Sequence, residues 1–468
     1  MTLVGDFETA AAANVGEFQP VLEIDLTDST AFGGDDPPPW WDTTLRLSGG
    51  IAYARGYAYN PCVIEWGDIP RGFDAFASAL DPLEVTVTIA DPNDVIRGSL
   101  DSGANQRGSA ARIYYVLPGN ADDYQVLFVG ILERWGYKSG HVVNLTLRTD
   151  DAILRKYVPA WAITKSEWPN APTSSVGLLP PIIYGTHNSS GLSGTGMLTA
   201  IPVNWTASTT GWYVVCAGEA KEVLTVYNNG TAKTITTHYT LDYSLSTAGR
   251  VYTVIKFTAG NIPAAEDVIT CDVSGYETTG NTGATTTAPT GSLLINPVEQ
   301  MRHFLLNFVE MDYKAGAWSA FESSAKLHAD SWAAAAQWAE QHILEGTGFI
   351  GGAVEAMQAW DVLNEWLDSW PMFRAYWTAS GELGLAVVGL DFPGYRTSSD
   401  PPLFRSEHDL GDAEYEQMTD NLTDSISASY LYDEVQGKFL ATLAVIDPDA
   451  GSEIASAVNL KWSVRRAV

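Results

Sequence analysis

The feature that most constrains this chain is an alternation of apolar and polar residues that recurs in two stretches, one on each side of a block with helical periodicity. Leu83, Val85, Val87 and Ile89 alternate with Glu84, Thr86 and Thr88. Successive side chains of a strand point to opposite faces, so this spacing buries one face and wets the other. Asp91-Pro92-Asn93-Asp94 then stops the strand with turn chemistry. Residues 126–131 form an apolar run broken at Gly130, and Val143, Leu145 and Leu147 alternate with Asn144, Thr146 and Arg148. The turn Lys138-Ser139-Gly140 between them predicts an antiparallel pair. Residues 1–155 therefore read as a β-rich domain. Its segment 33–41 is a loop, because Pro37-Pro38-Pro39 offer no N–H to a sheet interior.

Four further segments follow. Residues 156–185 read as a Pro-rich connector, punctuated by Trp168-Pro169 and Pro172 and closed by Pro180-Pro181, with Gly185 permitting a sharp exit. Residues 186–290 turn to Thr, Gly, Ser and Val, with strand-like runs at 212–216, 222–227, 251–257 and 268–273 and a hairpin signal at Asn228-Asn229-Gly230. This block reads as an inserted all-β module ending in a Thr/Gly linker at 278–291. Residues 292–370 are helical. Asn296 suits an N-cap and Pro297 the first helical position, with Val298, Met301, Leu305 and Phe308 on one stripe. A second stripe comprises Met357, Trp360, Leu363 and Leu367. Residues 371–468 return to strands: 373–377 and 383–388 around Ser380-Gly381, then 425–431 and 439–446 around Gln436-Gly437. The fold class is α+β and predominantly β.

Length divided by roughly 150 residues per domain gives about three domains. The 26 Lys and Arg against 56 Asp and Glu leave a net charge of −30 on a composition that is 46% hydrophobic. Real cores are affordable, whereas tight gripping of nucleic-acid phosphates is excluded for want of clustered cations. Cys62, Cys216 and Cys271 are isolated, so neither a disulfide scaffold nor a four-Cys metal centre is expected from one chain. Residues 1–7 carry no signal-peptide pattern, and no apolar run of about 18 residues predicts a membrane helix. Folding in a cytoplasm is the expectation.

Motifs with chemistry fail on context. Gly346-Thr347-Gly348-Phe349-Ile350-Gly351 fits G-x-G-x-x-G but follows a helical pattern instead of a strand, which removes the dinucleotide reading. Asp447-Pro448-Asp449-Ala450-Gly451 starts like a calcium loop, but its Gly comes one place early and no acid follows where needed. His141, His187, His238, His303, His328, His342 and His408 show no ligand spacing. Glu65 with Asp68, or Glu365 with Asp368, are the carboxylate pairs a hydrolase would need, and neither has a distinguishing setting. No residue is nominated as catalytic, cofactor-binding or metal-binding. No cofactor is expected, and the chain is read as no enzyme.

The order of these signals resembles the tail hub (baseplate hub) proteins of tailed bacteriophages and of phage-derived particles such as gene transfer agents. The likeness is carried by the apolar strand ending in Gly130 followed by an alternating strand and Asp150-Asp151. It continues in Gly177-Leu178-Leu179-Pro180-Pro181-Ile182-Ile183-Tyr184-Gly185, in the β module of 205–276, and in the helix start Ile295-Asn296-Pro297-Val298-Glu299-Gln300-Met301. It ends with 360–377 followed by Gly381-Glu382-Leu383 and with the strand pair of 421–446. Residues 1–80 match nothing in that pattern. The resemblance implies a structural virion protein at the tail tip, assembled in a host cytoplasm. It implies a homotrimer in which each chain gives two tube-type β-barrel domains, here 1–155 and 371–468, braced by the helices of 292–370. The implied neighbours are the distal tail protein, the tail tube, the tape-measure protein and a central fibre or spike. DNA would pass through without specific binding, and an acidic wall would let it slide, although the same charge is equally accounted for by solubility alone. The competing reading is a carbohydrate-binding adhesin or tail-associated depolymerase that meets a host glycan through the aromatic-rich β module, in which case mutating Trp205 or Trp212 would abolish binding or cleavage.

Overall fold

The computed structural model describes residues 19–26, 44–51, 53–69, 82–101, 106–116, 124–138, 140–158, 162–189, 196–206, 209–278, 291–313, 326–342, 348–350, 357–370, 372–387, 425–433 and 438–446. The chain divides into two compact units. The first takes in residues 1–153, 311–332 and 372–388, and the second 154–310, 333–371 and 389–468. The first unit thus includes 373–377 and 382–387, which the sequence reading placed in a C-terminal tube-like domain.

The alternating segments of the first unit build one seven-stranded antiparallel sheet. Its spatial order is Thr44–Ser48, Gln19–Asp25, Ala110–Val116, Tyr124–Tyr137, Val142–Arg148, Glu84–Ala90, Val63–Trp66. The expected pair at the Lys138 turn is present, with Leu132 opposite Leu147 and Trp135 opposite Leu145. One face collects Leu22, Ile24, Leu45, Val85, Val87, Ile113, Phe128 and Leu147 into a core that also receives Ile96 and Leu100 of the helix Val95–Leu100. The outer strands come together where Asn60, just ahead of Val63–Trp66, bridges Leu47. Ser48 N–H donates to Asn60 O at 2.9 Å, and Asn60 N–H donates to Arg46 O at 3.0 Å. One bridge does not make a continuous ladder. The sheet is therefore curled and seamed, not the closed barrel that was expected. The loop of 33–41 lies outside the described residues.

Gly130 does not break its strand. Tyr124–Tyr137 runs through it for 14 residues, and the glycine is there for space: a Cβ at this position would sit 2.1 Å from Arg148 O. On the opposite face, the small hairpin Tyr53–Ala54 and Tyr57–Ala58 turns through Arg55 and Gly56, both at positive φ. The Arg55 guanidinium lies 3.8 Å from the Tyr114 ring centroid and 4.2 Å from that of Tyr124, and it donates to Glu23 at 2.7 Å. Cation–π contacts and an ion pair thereby pin the hairpin to the sheet. Elsewhere in this unit, Phe373–Trp377 and Glu382–Val387 form the hairpin read around Ser380-Gly381, with Gly381 at φ +74°. Two short parallel partners, Lys326–Leu327 and Asp312–Tyr313, extend it.

In the second unit the β module is two four-stranded layers plus a short flank. One layer runs Thr186–His187, Ile269–Ser274, Glu222–Asn228, Thr231–Lys233, with Leu198–Thr199 also on Ile269–Ser274. The other runs Ile201–Thr206, Thr210–Ala217, Arg250–Phe257, Tyr239–Thr247. Side chains of both layers (Tyr213, Val215, Ile255 and Phe257 with Val226, Cys271 and Val273) share one core. The Asn229-Gly230 turn has the positive φ pair, 50° and 75°, of a tight hairpin. The connector is not a free tether: Ile163, Trp168 and Ala171 pack with Val203, Val214 and Val254 on the outer face of the second layer. Cys216 and Cys271 are buried, Cys62, in the first unit, is half-buried, and none of the three is in a disulfide. Ser425–Asp433 and Lys438–Ile446 pair antiparallel as expected, and the Gln436-Gly437 turn lies outside the described residues. Among the described residues no helix is long and apolar enough to cross a membrane.

Helix Pro297–Asn307 begins as read. Asn296 Oδ1 accepts from Val298 N–H at 3.0 Å and from Glu299 N–H at 3.4 Å, a cap worth about 1 kcal/mol. Val298, Met301, Leu305 and Phe308 are all buried. So are Glu299, Gln300, Arg302 and His303, and a single stripe does not account for them. In the second helix, Ala359–Ser369, the buried indole is Trp366, while Trp360 of the expected stripe is only half-buried.

Candidate functional site

The described residues of the second unit enclose a cleft of about 730 Å³. Three chain features shape it. Strand Thr210–Ala217 ends at Gly218, whose φ of +79° turns the backbone away and whose missing side chain leaves room for the Tyr276 ring. Strands Tyr239–Thr247 and Arg250–Phe257 are joined through Ala248 and Gly249, both at positive φ, and this tip forms one wall. The C-terminal half of helix Pro297–Asn307 supplies His303, Asn307 and then Phe308.

His303 sits at the meeting point of buried aromatics. Its ring stacks on Tyr276 at 5.0 Å and 23°, and Tyr184 meets it edge-on at 5.6 Å. Phe304 and Trp366 continue the cluster, with centroids 5.4 Å apart. Tyr276 donates its hydroxyl proton to Ala217 O. Tyr184 is fully buried, and its hydroxyl lies 3.0 Å from His303 Nδ1, its one hydrogen-bond partner among the described residues. A buried O–H left without an acceptor costs about 1–3 kcal/mol. Tyr184 therefore donates to Nδ1, and the imidazole proton resides on Nε2. Burial pushes the His303 pKa down to about 4 and lifts that of Tyr184 well above its ordinary value, so both groups are neutral near pH 7. His303 is only 9% exposed, lines the cleft, and has no hydrogen bond at Nε2 among the described residues.

The rim is acidic. Glu219, Glu277 and Glu310 face one cation, Arg250. Arg250 is 3.5 Å from Glu167, and Glu310 is 2.8 Å from Lys156. Counting those two partners leaves the excess of carboxylate unchanged. On the same helix, Glu299, one turn before His303, forms a buried ion pair with Arg302; burial nevertheless raises the Glu299 pKa to about 7, against Arg302 and helped by Glu340.

Other residues singled out in the sequence are scattered. Glu65 and Asp68 are exposed in the first unit, while Glu365 and Asp368 lie half-buried and exposed on helix Ala359–Ser369. His141 meets Asp94 at 3.3 Å, and His187 meets Tyr184 O at 3.1 Å. His328 Nδ1 accepts from Ser331 N–H at 3.4 Å. The side chain of His342, all of His408 and the segment 447–451 lie outside the described residues. Of the Gly346 run, Gly348–Ile350 is a strand paired with Ile182–Tyr184. Trp205 and Trp212 do not make one platform. Asn204 stands opposite Trp212, so Trp205 lies on the other face of the sheet. Trp205 packs on the inter-sheet core and donates to Pro263 O at 3.1 Å; Trp212 packs on the connector side, 4.6 Å from Lys256 Nζ.

No family model and no curated protein matches the sequence. Among solved structures, a chain of the virion of a native gene transfer agent particle is similar over 69% of this chain and 99% of that one, at 9% identity and a TM-score of 0.25. A likeness that faint carries no argument about fold or function.

Proposed function

We propose that the chain is a structural, non-enzymatic virion subunit, a tail hub that acts as a homotrimeric ring. The observation that carries this reading is the curled seven-stranded antiparallel sheet around an apolar core, with its edges bridged at Asn60. It supports the reading because a tube domain would be built from a curled sheet of this kind. In that ring the sheet continues the tail tube, next to the distal tail protein, the tape-measure protein and a central fibre or spike. The net charge of −30 per chain gives the ring a DNA-repelling character. Obligate rings bury large apolar interfaces, so dissociation at micromolar concentration is not expected.

Mass photometry of the purified chain tests this. Three copies of 50.5 kDa give about 150 kDa, and a species of that mass is the expected result. A stable monomer at micromolar concentration would overturn the ring.

A further inference from the structure

We propose that the cleft beside His303 is a docking site for a basic segment of another polypeptide, taking a peptide carbonyl at its floor and an arginine or lysine side chain at its rim. Two independent observations point to that chemistry. At the floor, Tyr184 holds Nδ1 of an imidazole that is nine-tenths buried, so the N–H at Nε2 is the donor left for the cleft. A donor there calls for an acceptor on the ligand, which a bare cation lacks and a peptide carbonyl supplies. At the rim, Glu219, Glu277 and Glu310 outnumber Arg250, and Phe308 gives the wall an apolar surface for an aliphatic stem.

Charge selects the source. A segment rich in lysine or arginine is attracted both by the net charge of −30 and by the rim, where carboxylates exceed cations. The site does not depend on the hub reading: its described lining residues all belong to the second unit of one chain, so its failure and that of the ring are separate results.

The test uses the full chain and the blocked tripeptide Ac-Gly-Arg-Gly-NH2, with two controls. Its citrulline counterpart keeps the shape and the carbonyls without the charge, and agmatine keeps the guanidinium without the carbonyls. Calorimetric titration should show saturable binding of the arginine peptide that weakens as salt is raised. Both controls should bind about tenfold more weakly, and the Nε2 resonance of His303 should shift on binding. Glu219→Gln with Glu277→Gln should cost about tenfold in affinity, near threefold for each carboxylate. If the double variant melts early, the exposed Glu219→Gln alone carries that arm. No saturable binding, a citrulline peptide that binds equally well, agmatine that matches the peptide, or no loss in the variants would each overturn the proposal.

Discussion

Gly130→Ala tests whether strand Tyr124–Tyr137 really passes within contact of its neighbour. The added methyl carbon would lie 2.1 Å from Arg148 O, 2.7 Å from Arg148 C and 2.7 Å from Phe128 Cζ. Ordinary carbon–oxygen contacts are about 3.3 Å or more, so the overlap exceeds 1 Å and falls partly on backbone, which no rotamer change relieves. The strands must part near Ile131 and Arg148, which stand opposite each other. Loosening one or two ladder hydrogen bonds at about 1 kcal/mol each, plus overpacking against Phe128 at about 1–3 kcal/mol, gives a loss of roughly 3 kcal/mol. For a unit of this size that is a fall of about 6–12 °C in its melting transition. Gly98 supplies the control. It lies on the exposed side of helix Val95–Leu100, and a Cβ there meets nothing within 4 Å. Gly98→Ala should therefore raise stability by about 0.5–1 kcal/mol. Scanning calorimetry reads both variants against the parent. The same chemical change must move the transition in opposite directions, and a Gly130→Ala protein that melts within a degree or so of the parent would refute the close approach.

Asp272, almost fully buried, accepts from Ser189 N–H at 2.9 Å, from Ser189 Oγ at 3.0 Å and from the Tyr227 hydroxyl at 3.1 Å. Asp272→Ala strands those donors and should lower the urea midpoint by the equivalent of about 3 kcal/mol; a change below about 1 kcal/mol would show that water or rearrangement replaces the carboxylate. The pH dependence of stability is shaped by two groups on one helix. Glu299, lifted from 4.5 to about 7, binds its proton more tightly when folded; its contribution is full below 4.5 and lost as pH rises through about 7. His303, lowered from 6.5 to about 4, contributes fully above 6.5 and loses its contribution as pH falls through about 4. The two slopes oppose each other between 4.5 and 6.5, and the parent should be comparatively flat there. Glu299→Gln removes one of them, so urea midpoints should rise with pH across that window, and a variant profile as flat as the parent's would count against both assignments.

Much of the β framework was legible because its signals are local. Period-two alternation located Glu84–Ala90 and Val142–Arg148, Asn229-Gly230 located a hairpin, and Asn296-Pro297 located a helix start. Tyr239–Thr247 was equally readable, since Tyr239, Leu241, Tyr243 and Leu245 alternate, but Thr and Ser between them disguise the strand as spacer. Gly130 shows the opposite limit. In sequence it interrupts an apolar run, and its reason, the backbone of Arg148, lies 18 residues away and on another strand. The open seam at Asn60 is likewise set by where two sheet edges meet, a long-range fact that no window contains.

The cleft was illegible for the same reason, sharpened by helix Pro297–Asn307. A surface helix shows one apolar stripe and one polar face, and reading Val298, Met301 and Leu305 as the stripe assigns Glu299, Arg302 and His303 to water. The chain instead buries both faces. Arg302 and Glu299 tolerate this because they neutralise each other one turn apart. His303 tolerates it because Tyr184, 119 residues earlier, takes one ring nitrogen, while Tyr276 stacks on the ring and the residue borders the cleft. A histidine made neutral by burial, with one nitrogen fixed and the other open, is a directional donor instead of a charge. Such a group can discriminate a carbonyl from a cation, while the carboxylates at the rim discriminate a cation from a neutral side chain. The two selections act at different depths of one cleft, and it is their combination that distinguishes a basic peptide from either a polyamine or a neutral loop.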